Sequence, residues 1–220
     1  MLMKSLLQMA VALATVGSVQ AASIAWSSLG SVSNATDVLN IGTVVQAEYA
    51  GGFGSQTVNG VTFLDGFTSY ATAAGVGTGA FLGDTGNSSY NTILNTFAYD
   101  GTSPGVLTLN SLSIGVTYKV QLWALDDRPD FGIPNRTQRY DDNAGNFSAT
   151  FFMPSNTIML GTFTADAITQ VVNVSGAAQL AHNLNAFEVV AVPEPSSWAM
   201  LAAGAVGLLG FRRRQSALSN

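Results

Sequence analysis

Residues 117–126 constrain the fold more than any other stretch. Extended, they place Tyr118, Val120, Leu122 and Ala124 on one side and Lys119, Gln121, Trp123 and Leu125 on the other. A half-solvated strand carries polar residues on its outer side; here that side bears a tryptophan and a leucine, which predicts a central strand covered on both faces. Around it, β-branched and aromatic runs recur at 44–49, 105–109, 147–152, 157–165, 168–174 and 184–192, separated by Gly, Asn, Asp and Pro. Residues 57–63 read as a hairpin, because Asn59-Gly60 accepts the positive φ angles of a type I′ turn. Ser113-Ile114-Gly115 is a further turn, and only 90–97 reads as a helix. Roughly eight to ten strands without crossover helices predict an all-β fold, a single antiparallel, jelly-roll-like β-sandwich. There is no internal repeat.

Both ends differ in kind from this middle. Residues 1–22 carry Lys4, an apolar run from Leu6 to Val16, and then small residues ending Val19-Gln20-Ala21-Ala22. That order is a secretory signal peptide, expected as a signal helix and cleaved after Ala21 or Ala22; the run is too short for a first membrane span. At the other end, Pro193-Glu194-Pro195 is held extended by its prolines. An apolar stretch to Phe211 follows, then Arg212-Arg213-Arg214, a cytoplasmic stop, and a polar tail over 215–220. As a helix, 196–211 reaches about 24 Å at ~1.5 Å per residue, short of a hydrocarbon core of about 30 Å. Such a short transmembrane helix suits a segment inserted transiently and then removed; a plain anchor is the alternative. The order of tripeptide, span and basic cluster over 193–214 resembles the PEP-CTERM sorting signal. The resemblance implies an exosortase as partner, cutting near the tripeptide.

The remaining domain, 23–192, is one unit by size. From residue 23 to Pro195 there are thirteen acidic residues and four basic ones, a net charge of −9. Nucleic acid, which needs a basic footprint, is therefore not an expected partner. The chain has no cysteine, so its core alone must hold the domain together. Residues 44–48, 58–63, 118–123 with Asp126, 161–166 and 184–186 are also similar to a recurrent ectodomain of PEP-CTERM proteins, itself similar to galactose-binding-like and malectin-like jelly rolls. This likeness implies a fold more than an activity.

The densest polar region runs from Asp126 to Asn143 and holds three of the domain's four basic residues. One reading is a ligand pocket of Asp126, Asp127, Arg128, Arg136 and Arg139, with Tyr140 or Phe131 packing on a sugar ring. A second is a calcium site on the hard oxygens of Asp141, Asp142 and Asn143, although their spacing is not that of an EF-hand. The third is that the arginines fork onto Asp126 and Asp127 simply to order a long loop. His182, the only histidine, reads as a loop residue before the last strand, with no Gly-x-Ser-x-Gly elbow beside it. The glycine-rich stretches 51–54 and 75–79 read as flexible turns, not phosphate loops; Trp26 and Trp123 read as core.

The expectation is an exported protein of the cell surface or extracellular matrix, non-catalytic, contacting exopolysaccharide. Its partners are signal peptidase and the general secretion machinery, the exosortase and the polysaccharide. It has no cofactor unless Ca2+ occupies the Asp141 region. A glycan-acting secreted enzyme and a passive structural envelope protein are the alternatives.

Overall fold

The structure, a computed structural model, describes residues 21–71, 74–100, 104–128, 136–176 and 182–193. Strands follow one another as β1 (Ala25–Ser31), β2 (Thr43–Tyr49), β3 (Gln56–Val58), β4 (Val61–Asp65), β5 (Tyr70–Ala71) and β6 (Gly75–Thr78). After helix α1 (Ser88–Asn95) come β7 (Thr96–Asp100), β8 (Gly105–Leu109), β9 (Thr117–Trp123), β10 (Thr137–Asp141) and β11 (Phe151–Phe152). The last are β12 (Thr157–Thr164), β13 (Gln170–Gly176), β14 (His182–Leu184) and β15 (Ala186–Ala191). They form a seven-stranded sheet, β1-β12-β9-β15-β2-β4-β3, a five-stranded sheet, β11-β10-β13-β8-β5, and a three-stranded sheet, β14-β7-β6.

The central strand lies where its two apolar sides require. β9 sits between β12 and β15, with Trp123 opposite Ile158 on one side and Ala186 on the other. Tyr118, Val120 and Leu122 point into a core shared with Leu107, Leu109, Val172 and Val174 of the five-stranded sheet. Trp123 and Leu125 point the opposite way, into a second core with Phe63 of β4 and Tyr90, Ile93 and Leu94 of α1. Each fully buried side chain of this size contributes about 1.5–3 kcal/mol. The sandwich therefore carries a third layer on its outer face, the helix.

Helix α1 is anchored at both ends. Asn87 accepts a hydrogen bond from Tyr90 N at 2.9 Å through its side chain, starting the helix at Ser88, two residues before the expected position. Tyr90, Ile93 and Leu94 then fall on one face, which is the buried one. At the far end, Asn185 Nδ2 donates to Leu94 O at 2.7 Å and Thr96 O at 2.9 Å, while its Oδ1 accepts from Leu125 N at 2.7 Å. One buried amide thus closes the helix terminus and the chain leaving β9.

The hairpin appears as read, with φ of 49° at Asn59 and 82° at Gly60. Four other expectations need correction. The sandwich is not wholly antiparallel, because β4 runs parallel to β2, with Glu48 opposite Leu64 and Tyr49 opposite Asp65. A turn with positive φ at Gly51, Gly52 and Gly54 carries the chain one strand position too far, and the tight hairpin then returns β4 into the gap. Fifteen strands in three sheets stand among the described residues in place of eight to ten in two. Some additions, such as β5, β6 and β14, are pieces of two to four residues, too short to show an apolar run. The longer ones, β1, β7 and β10, are rich in Ser, Thr or charged residues or overlap the stretch read as helix. Residues 75–78 are strand β6 and not a flexible turn. His182 is not in a loop; it is buried at the start of β14, opposite Asp100.

The signal helix over 1–22 lies outside the described residues apart from Ala21 and Ala22. The short transmembrane helix, Glu194, Pro195 and Arg212 to Arg214 also lie outside them. No helix among the described residues is long and apolar enough to cross a membrane.

Candidate ligand-binding site

Asp126 leaves β9 and turns inward, where it is 1% exposed. Arg128 closes a two-pronged bond on it, Nε to Oδ1 at 2.7 Å and Nη2 to Oδ2 at 2.6 Å. Arg136, just before β10, donates Nη1 to the same Oδ2. Two guanidinium groups therefore share one carboxylate. Burial pushes both arginine pKa values down from their ordinary value, opposed at Arg128 by the Tyr99 oxygen. Arginine still keeps its charge in neutral water.

The arginines rest on the three-stranded sheet. The Arg128 guanidinium lies over the Phe97 ring, 4.3 Å from its centre, a cation–π contact. Gly77 of β6 pairs with Phe97 of β7, and a Cβ there would fall 2.5 Å from the ring's Cζ. The absent side chain is what leaves room for the ring. Tyr99, two residues further along β7, shares that face, with ring centroids 5.7 Å apart. Phe97, Tyr99, Arg128, Arg136 and Gly77 line a cavity of about 260 Å³.

The other residues singled out in the sequence are dispersed. Asp127 is spent on the segment after β6 and the turn before β12, accepting from Leu82 N at 3.3 Å and Asn156 Nδ2 at 3.1 Å. Arg139 points outward from β10, over the Phe147 ring at 4.4 Å. Tyr140 alternates with it and points inward; fully buried, it stacks on Trp26 with ring centroids 5.8 Å apart. It cannot serve as a sugar platform. Trp26, read as core, is only half-buried. Phe131 lies outside the described residues.

Asp142 is buried and accepts from Ile24 N, Ala144 N, Asn146 N and Asn146 Nδ2 at 2.8–3.0 Å. Burial alone would raise its pKa, but these donors outweigh it and hold the carboxyl below the usual range. Asp141 accepts from Asn143 N and Asn173 Nδ2, each at 2.9 Å. Asn143 sits at φ 58°, a left-handed turn. These oxygens hold β10, β13 and the segment before β1 together. Among the described residues no group of three or more His, Cys, Asp or Glu side chains converges as a metal site would require.

Sequence reasoning missed Phe97, Tyr99 and Gly77. The only available signal was the Gly-x-Gly alternation of 75–79, which is how a strand makes space for large neighbours. A second cavity, of about 380 Å³, lies between the edge strands β1 and β11, lined by Trp26, Phe151, Phe152 and hydroxyls including those of Ser27 and Thr150.

A family model of the PEP-CTERM protein-sorting motif matches residues 191–214. No curated protein and no solved structure matches the chain.

Proposed function

We propose that this chain is an exported protein, processed by an exosortase at its C-terminal motif, whose β-rich ectodomain makes non-catalytic contact with exopolysaccharide at the cell surface or in the extracellular matrix. The observation that carries the reading is the match to the PEP-CTERM sorting motif at 191–214, directly after the last strand. Support for the glycan contact comes from the Arg128–Asp126–Arg136 cluster, where charged hydrogen-bonding groups stand beside an accessible tyrosine, the mixture sugar sites use. The likeness to galactose-binding-like folds belongs to this reading.

Intact-mass spectrometry of the protein recovered from the surface of its native host tests the sorting part. It should start near residue 22 or 23 and end near Pro195; surface material retaining Arg212 to Arg214 would overturn it. A glycan array probed with the full chain tests the contact part, and silence across acidic and neutral polysaccharides, with and without calcium, would refute it.

A further inference from the structure

We infer that the cavity between Arg136, Arg128 and Tyr99 receives a carboxylate-bearing sugar ring, a uronic acid residue of an acidic polysaccharide. The inference rests on the glycan-contact reading and names the class of glycan.

Charge is the first argument. Two guanidinium groups enclose a single carboxylate, so the cluster carries a surplus positive charge inside a stretch, residues 23–195, with a net charge of −9. Ordering a loop needs only one arginine for one buried aspartate; a second, itself mostly buried, adds a desolvation cost that an anion would offset.

Donor geometry is the second. Arg128 uses its whole Nε–Nη2 edge on Asp126. Arg136 gives Asp126 only Nη1, and its Nε is buried with no acceptor among the described residues. The Nε–Nη2 edge of Arg136 is thus the one suited to a second carboxylate, gripped by two parallel hydrogen bonds. A buried N–H on a cation is costly to leave unmatched, and a neutral hydroxyl would answer it only in part.

Size and shape narrow the occupant. The cavity of about 260 Å³ lies just below the ~300–1,000 Å³ of drug-sized pockets, which suits one ring of a chain and not an oligosaccharide. Phe97 already has Arg128 over its face, so Tyr99, 39% exposed, is the ring that meets the apolar side of the sugar.

The test measures binding of the full chain, purified in detergent, to polygalacturonate, alginate and hyaluronate, each beside its carboxyl-reduced neutral counterpart. At least one acidic polymer should bind, with its reduced form at least about ten-fold weaker, as loss of a charge-assisted pair implies. Arg136→Lys, which keeps a cation for Asp126 but loses the two-pronged edge, should weaken binding by a similar factor. Tyr99→Ala should weaken it with the melting temperature unchanged, which separates a ligand contact from a folding defect. Equal binding of acidic and reduced polymers would overturn the carboxylate assignment while leaving glycan contact standing. Binding of neither overturns both, and acidic binding indifferent to Arg136→Lys and Tyr99→Ala overturns the location.

Discussion

Glu188 of β15 lies opposite Gln121 of β9, fully buried, and both side-chain oxygens Gln121 Oε1 and Glu188 Oε1 accept from the same Leu39 N–H. Burial pushes its carboxyl up to about 8, against the Leu39 bond, which alone would lower it. In the unfolded chain the group loses its proton near its ordinary 4.5. Between these two pH values the fold holds a proton that the unfolded chain has released, so stability falls as pH rises, by about 1.4 kcal/mol per pH unit, and levels off above pH 8. The lowered carboxyl of Asp142 acts in a separate window, stabilising above its ordinary 3.8 and losing that contribution as acid protonates it. The melting temperature should therefore decline from pH 5 to pH 8, and Glu188→Gln, neutral throughout, should remove most of that decline. A wild-type curve flat over that range, or a variant with the same slope, would refute the assignment. None of this was legible in the sequence. Glu188 and Gln121 are far apart along the chain, and only strand register makes them neighbours. The same limit applies at the candidate site: Asp126, Arg128 and Arg136 could be grouped because they share one polar stretch, whereas Phe97, Tyr99 and Gly77 come from a different sheet.

Elements were readable where the local pattern matched the final surroundings. β9 declared its two covered faces through Trp123 and Leu125, and the β3–β4 hairpin declared its turn through Asn59-Gly60. Helix α1 was read over 90–97 but starts earlier, at the Asn87 cap, and ends at Asn95, with Thr96 and Phe97 already in strand β7. The parallel β2–β4 pairing was hidden because it depends on which strand the returning hairpin meets, not on either strand's own residues. β12 shows how an element's packing can rest on one missing side chain. Gly161 faces Val120 in β9 and Trp26 in β1 across its two pairings. A Cβ at Gly161 would stand 2.6 Å from Ile24 Cγ2, 2.8 Å from Val120 Cγ1 and 3.0 Å from Trp26 Cζ3. Ile24 and Val120 are enclosed, at 1% and 0% exposure, and have no room to retreat. Gly161→Ala should therefore destabilise by the ~1–3 kcal/mol typical of overpacking, lowering the melting temperature by about 2–4 °C per kcal/mol for a domain of this size. Unchanged or raised melting would show that β1 can shift away from β12, and that the edge of the sheet is looser than its packing implies.

At the scale of the whole molecule, the last strand in sequence is not last in space. β15 lies inside the seven-stranded sheet, between β9 and β2, and brings Phe187 and Val189 to the main core. Phe187, Val189 and Val190 are all fully buried, and at about 1.5–3 kcal/mol each their burial rivals the ~5–15 kcal/mol net stability of a typical domain. The sheet stays open at its middle until this strand is available, so the β-rich domain cannot finish folding before the chain through Ala191 is present. The sorting motif then begins without a spacer: Ala191 is paired with Thr43 and Tyr118, Val192 N donates to Thr117 O at 2.9 Å, and the match to the motif starts at residue 191. Completion of the fold and the start of the matched motif thereby fall on the same strand. Two truncations separate this arrangement from an ectodomain that folds independently of its C-terminal strand. A chain ending after Pro193 keeps every β15 pairing and should melt cooperatively at the temperature of the full chain. A chain ending after Asn185 exposes the flanks of β9 and β2 and should show no cooperative transition by calorimetry. Cooperative melting of the shorter chain would mean that β9 and β2 can close directly on one another, and β15 would then be an addition to the fold and not its keystone.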